Sequence, residues 1–387
     1  MHRLIIFFFI YLMFLNADTL AQEKQAGPVL WSVAATLPYG NGQPGISGVG
    51  GPIAGLHHNV FILAGGCNFP DKMPWHGGKK IYYDEVFIYS KNKDNILPIK
   101  IAKLNTTVAY AASCSTPLGI IAAGGENENG ISKKVILLQW DLASTNISIQ
   151  NLPDLPLPLT NAAVTSINNI VFLVGGETIN GVSDKLFSMN LSNTIAGWKE
   201  LQPAPHPVSH TIFLEAQVNK KNVIFLIGGR KKNSTGVSDL YDNVYEFIPK
   251  KNEWINKISL PFPISAGTAV SLIKGRILLF GGDKGETFHK TETLIAAYNT
   301  EKDSLQKINL NEQKIKIQIN HPGFSNQVLM YNVVSGETKN IGSIPFTTPV
   351  TTMACKWDDL VLLPCGEIKA GIRTPQILMG KLNTKLQ

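Results

Sequence analysis

Glu367 and Arg373 lie six residues apart in the segment Glu367-Ile-Lys-Ala-Gly-Ile-Arg373-Thr374. A carboxylate can take a proton from a hydroxyl, and a guanidinium can grip an oxyanion through parallel N–H donors. One loop carrying both suits proton transfer on a small anionic molecule; an internal loop salt bridge is the structural alternative. Arginine usage sharpens the reading. Beyond residue 21 the chain has three arginines, Arg230, Arg276 and Arg373, against a large excess of lysine, so each is expected where a planar fork matters. Arg276 follows Lys274-Gly275 in a hairpin-turn sequence and is expected to be a solvated turn residue on the far face. The net charge of +7 suits an anionic partner, but the lysines are scattered and no basic stripe with interleaved aromatics occurs, so no nucleic-acid partner is expected. No Cys-x-x-Cys or His-x-x-x-His spacing supports a metal centre.

These residues must be positioned by a repeat. Gly-Gly ends a short apolar run at residues 65–66, 124–125, 175–176, 228–229 and 281–282, steps of 59, 51, 53 and 53 residues, and a degenerate copy, Cys365-Gly366, follows after 84 more. A period of roughly 50 residues is that of kelch units, in which a four-stranded antiparallel sheet forms one blade of a propeller. The runs at 60–64, 118–123, 170–174, 223–227, 277–280 and 360–363 read as buried strands. A second strand follows each loop, at 85–89, 134–138, 185–189, 243–247 and 293–297. Trp-to-Pro elements such as 198–203 and 254–261 come third, their Trp residues expected to fill space between blades. The sixth copy lacks a fourth strand, and residues 31–38 at the other end have the form of one. The sequence therefore predicts an all-β, six-bladed kelch propeller closed by an N-terminal strand, with residues 22–387 as one domain. Residues 300–327 read as an insertion in blade five.

The first 21 residues read as a secretory signal peptide: a basic start, a 12-residue apolar stretch at 4–15, and small residues before Gln22. The chain is thus expected in the periplasm or secreted, without a membrane anchor after cleavage. Cys67 and Cys365 adjoin the Gly motifs of blades one and six, where pairing is open; free thiols are the expectation for all four cysteines.

In such a ring the loops after the Gly pairs and the entries to the inner strands open on one face. The candidate lining residues are therefore Asn68, Glu126, Glu177, Arg230, Asp283 and Glu367, with Ser47, Asn161, Ser209, His210 and Thr348 from the strand entries. For each carboxylate, capping of loop amides is the alternative role.

The segment Gly366-Glu367-Ile-Lys-Ala-Gly371-Ile-Arg373-Thr374 resembles the Gly-Glu-x-x-x-Gly-x-Arg-Thr motif of kelch-type N-acetylneuraminate epimerases. Residues 45–55, 61–66 and the Gly124-Gly-Glu126 loop are also similar to that family. The order of segments resembles its cyclically permuted mutarotase branch. The resemblance implies an exported isomerase, free of cofactors, that interconverts the anomers of sialic acid. A base takes the anomeric hydroxyl proton, an acid protonates the ring oxygen, and the opened sugar closes from the other face. It further implies that Glu367 is the proton acceptor and Arg373 the residue orienting the substrate carboxylate. The donor to the ring oxygen stays open among His210, Glu177 and water. Arg230, His210, Glu126, Glu177 and Asn68 are expected substrate-binding residues, and the oligomeric state is not indicated. The alternative is a kelch module that binds an anionic glycan without catalysis. A sialidase would need an arginine triad and Asp boxes, and a kelch copper oxidase a His/Tyr ligand set; neither is visible.

Overall fold

The computed structural model describes residues 27–38, 48–219, 221–234, 236–384 and 386. The expected leader and Ser47 lie outside the described residues.

Each strand before a Gly pair is apolar almost throughout because both of its faces are buried. In blade one, Phe61 and Leu63 pack against Leu360 and Leu362 of blade six, whereas Ile62 packs against Ile120 and Leu138 of blade two. The alternation continues around the ring, and among the described residues each pair of neighbouring blades shares one apolar cluster. Side chains alternate across a strand, so a strand sandwiched between two sheets needs an unbroken apolar run.

The sheets are six four-stranded antiparallel blades. Blade one runs outward from the axis as Ile53–His57, Val60–Ala64, Glu85–Asn92 and Asn95–Lys103, and blades two to five repeat this order. Blade six comprises Cys355–Trp357, Leu360–Pro364 and Gln376–Leu382, and its outermost strand is Val29–Thr36, paired from Val29 with Leu382 to Thr36 with Gln376. Trp31 packs edge-on against Phe280 of blade five, and Leu37 enters the cluster between blades six and one. The expected closure is thus present: Val29–Thr36 covers what would otherwise be the exposed edge of Gln376–Leu382. Backbone N–H groups of the innermost strands are satisfied by hydroxyls of neighbouring blades: Ser113 and Ser115 accept from Ala54 and Leu56, Thr165 from Glu215, and Thr268 from Ala354. The tryptophans also behave as expected, Trp198 Nε1 donating to Pro153 O and Trp254 Nε1 to Gln202 O across blade boundaries.

Blade five departs from the expectation. Residues 293–297 are not its third strand but part of helix α1 (Glu286–Thr300), which with α2 (Ser304–Ile319) precedes the true third strand, Gln327–Asn332. The insertion therefore occupies residues 284–326, not 300–327. A five-residue apolar run fits either element, and here it lies on a helix whose one buried residue is Glu292. In the other five blades a two-stranded hairpin occupies the place that the helices take in blade five.

Two smaller readings also change. The four cysteines are free and buried, but Cys365, in the left-handed region at φ 54°, replaces the first glycine of a pair, while Cys67 is the equivalent of Glu367. The first glycine must be small: a Cβ on Gly175 would stand 2.1 Å from Val208 O. Arg276 is half-buried instead of solvated, its guanidinium donating to Ile273 O and Leu386 O.

Candidate active site

The residue after each Gly pair forms an isolated bridge with the residue entering the inner strand of its own blade: Gly50 with Cys67, Ala109 with Glu126, Thr160 with Glu177, Ser209 with Arg230, Ser265 with Asp283, and Val350 with Glu367. The next residues, Gly51, Tyr110, Asn161, His210, Ala266 and Thr351, all have φ between 52° and 63°. In that conformation each N–H donates to the carbonyl of the equivalent residue in the adjacent blade, over 2.7–3.2 Å, until the sixth bond closes the circle. This belt holds the mouth of the ring rigidly. Below it runs a central channel of about 400 Å³, walled mainly by Ala, Ser, Thr and aliphatic residues, with Glu215 and Lys356 the acidic and basic exceptions. Above it stand the charged residues that follow the Gly pairs. The rim, not the channel, carries the groups able to hold an anion and move a proton.

Glu367 and Arg373 face one another in the hairpin Glu367–Lys369 with Ile372–Arg373, whose turn contains Gly371 at φ 72°. Arg373 Nη2 lies 3.0 Å from Glu367 Oε2, and Gly371 N–H donates to Glu367 Oε1 at 3.2 Å. The Arg373 side chain is only 4% exposed; it lies over the Phe69 ring, and Nη2 also donates to Tyr110 Oη at 3.4 Å. Its Nε and Nη1 are buried without a partner. The loop salt bridge is therefore real, yet it leaves Nε and Nη1, on different edges of the guanidinium, without partners. Burial pushes the Glu367 carboxyl above the usual carboxylate range, against the pull of Arg373, the Gly371 N–H and the more distant Arg230 and Lys80.

A second group forms around Glu177. Its Oε1 accepts from Ser209 Oγ at 3.0 Å and lies 3.4 Å from His210 Nδ1 and 3.8 Å from Arg230 Nη2, while Asn161 Nδ2 reaches Oε2 at 3.4 Å. Arg230 Nη2 lies 3.2 Å from His210 Nε2, and the guanidinium covers the ring of Phe288 from α1. Burial alone would raise the Glu177 carboxyl, but hydrogen bonding and charge from His210, Arg230 and Ser209 outweigh it and carry the pKa to about 2. Burial, then the Arg230 charge, holds the His210 imidazole below its ordinary range. The neutral ring at pH 7 acts on Glu177 as a hydrogen-bond donor, and Arg230 supplies the charge.

The remaining expected residues divide. Glu126 is at the rim, where it pairs with Lys80 at 2.8 Å and accepts from Tyr82 Oη at 2.9 Å. Asn68 is buried one position beyond the rim, its Nδ2 donating to Gly48 O; the rim residue of blade one is Cys67. Asp283 caps the insertion, accepting from Gly285 N–H, and Thr348 is buried two residues short of the blade-six strand entry. Tyr110, Phe69, Lys80, Tyr82 and Phe288 were not anticipated. Tyr110 could have been found, because it precedes Gly124 by the same 14 residues that separate Asn161 from Gly175. The others come from segments outside the repeat.

The N-acetylneuraminate epimerase family model matches residues 152–387, which hold blades three to five, the three inner strands of blade six and both Glu367 and Arg373. The N-acetylneuraminate epimerase of Brucella melitensis biotype 1 is 26% identical over 253 residues, 64% of this chain and 63% of that protein. Those of Salmonella typhimurium and Salmonella typhi are each 28% identical, over 58% of this chain and 57% of theirs. The chain thus spans about three-fifths of the length of the curated relatives it matches. With the family model covering more than half of the sequence and containing the charged hairpin of blade six, this chain belongs to the N-acetylneuraminate epimerase family.

Proposed function

We propose that the chain is a mutarotase that interconverts the α and β anomers of N-acetylneuraminate, exported to the periplasm or secreted after removal of residues 1–21. The observation that carries this reading is the buried Arg373 guanidinium, with Nη1 unpartnered, beside a carboxyl whose pKa burial raises above the ordinary glutamate value. A carboxylate on the anomeric carbon can accept from the unpartnered Nη1, placing the anomeric hydroxyl beside Glu367. Glu367 accepts the hydroxyl proton as the bond from the anomeric carbon to the ring oxygen breaks, and the ring oxygen takes a proton. Rotation of the opened keto acid and the reverse steps give the other anomer. A raised pKa suits a group that must accept and return a proton near pH 7.

Neither side chain expected as the second proton donor fits that role. Glu177 is ionised down to about pH 2, and the His210 proton faces Glu177 because its Nε2 lies against an arginine, which can only donate. Tyr110 is a weak acid, since burial holds its phenol well above the ordinary range. We therefore assign the ring-oxygen proton to water. A ring that only binds an anionic glycan would need the arginine but no carboxyl of raised pKa beside it. The test is proton NMR of freshly dissolved crystalline N-acetylneuraminate. The anomer ratio should relax faster at micromolar protein, and an unchanged rate would leave binding alone.

A further inference from the structure

Arg230 has an uncommon degree of support for a side chain at a rim. His210, buried and held in the left-handed belt, has Nδ1 toward Glu177 and Nε2 toward Arg230. Since arginine has no acceptor, Arg230 donates to Nε2, which fixes the proton on Nδ1, where it faces Ser209 Oγ at 3.2 Å and Glu177 Oε1 at 3.4 Å, Ser209 in turn donating to the carboxylate. Glu177, His210 and Arg230 thus form a chain of fixed polarity. The opposite face of the guanidinium is covered by Phe288, its Cζ 4.7 Å from the ring centroid. Phe288 is itself positioned from outside the blade. Glu292 of α1 accepts from Ser238 N–H at 2.8 Å and Ser238 Oγ at 2.7 Å, and His289 Nε2 donates to Ser238 O at 2.9 Å. Ser238 immediately precedes the return strand of the Arg230 hairpin, Asp239–Leu240. The helical insertion of blade five is therefore pinned to the blade-four loop and clamps its arginine.

Building on the mutarotase reading, we propose that Arg230 is the specificity-determining anchor for the acylamino group of the sugar, with Glu177 and His210 as positioning residues and Phe288 as the wall. The argument rests on charge and place. Arg230 Nη2 lies 3.8 Å from a fixed carboxylate and its buried Nε lacks a partner, so the group offers a directed donor in a neutral setting. That favours a neutral acceptor such as an amide carbonyl over a second anion. Blade four is separated from the Glu367–Arg373 hairpin of blade six by blade five alone, and the Arg230 charge is felt at Glu367. One sugar held by its carboxylate at Arg373 therefore presents its far substituents toward Arg230.

The experiment compares N-acetylneuraminate with the nine-carbon keto acid bearing hydroxyl in place of acetamido. Affinity is measured by calorimetry and anomer exchange by NMR, for wild type, Arg230→Lys, His210→Gln and Phe288→Leu. Wild type should prefer the acylamino acid by about tenfold or more, and each variant should bring that ratio close to one. KM for N-acetylneuraminate should rise about tenfold while kcat changes less than about threefold. Losses equal on both acids, or a wild-type ratio of one, would overturn the assignment. Because the ratio is read from affinity, it stands apart from catalysis: a preference without anomer exchange would sink the mutarotase reading and keep the acylamino subsite.

Discussion

Two glutamate–arginine pairs stand on opposite sides of one mouth, made of the same residue types and held by the same repeat, yet their carboxyls are driven in opposite directions. Glu177 is surrounded by donors, Ser209, Asn161 and His210, besides Arg230, and stays ionised down to about pH 2. Glu367 has Arg373 and one backbone N–H, and burial prevails, raising its pKa. The difference is that Glu177 receives more donors and more positive charge, enough to outweigh its burial, whereas Glu367 does not. A carboxylate fixed as an anion can orient neighbours but cannot shuttle a proton; one whose pKa is raised can do so. The arginines differ less: both leave Nε without a partner, Arg230 spends a donor on His210 and Arg373 one on Tyr110, and only Arg373 also leaves Nη1 unpartnered.

This contrast can be broken by exchanging one residue at a time. The largest effect should come from Glu367→Gln, which keeps shape but removes the basic lone pair: anomer exchange should fall by about 10² or more. Glu177→Gln should leave kcat within about threefold and raise KM. Saturation kinetics on both variants separates the two roles, and equal losses in kcat would erase the distinction. Next in size is Arg373→Lys, which retains charge without the fork. Affinity for N-acetylneuraminate should fall about tenfold along with rate, while any activity on neutral sugars should fall less. Arg276→Lys is the smallest change. Its bonds to Ile273 O and Leu386 O make it a matter of stability, about 1 kcal/mol by denaturant titration, with exchange kinetics unaltered.

The propeller was legible because its physics is periodic. Strands such as Phe61-Ile-Leu63 must be apolar on both faces, and the Gly pairs mark where adjacent blades come too close for a Cβ. The same register placed Glu126, Glu177, Arg230 and Glu367 on the rim, and missed by one at Asn68, where the rim residue is the apolar Cys67. Helix α1 was misread because Leu294-Ile-Ala-Ala297 carries no signature separating a short strand from a helical turn. Phe288 was invisible for a related reason. It reaches Arg230 through a tertiary attachment of the insertion to Ser238, which no local spacing encodes.

The most direct measurement of the contrast is a pH titration of the protein carrying carboxyl-13C glutamate, with the two signals assigned by their loss in Glu367→Gln and Glu177→Gln. Glu177 should titrate near 2 and Glu367 above 4.5, the ordinary glutamate value in water. The sign for catalysis follows. The active base is the ionised form, so anomer exchange should decline as pH falls through the raised Glu367 pKa, with no second loss from Glu177 until pH nears 2. Titration of Glu367 below 4.5, or of Glu177 above Glu367, would contradict the division of labour between the two sides of the mouth.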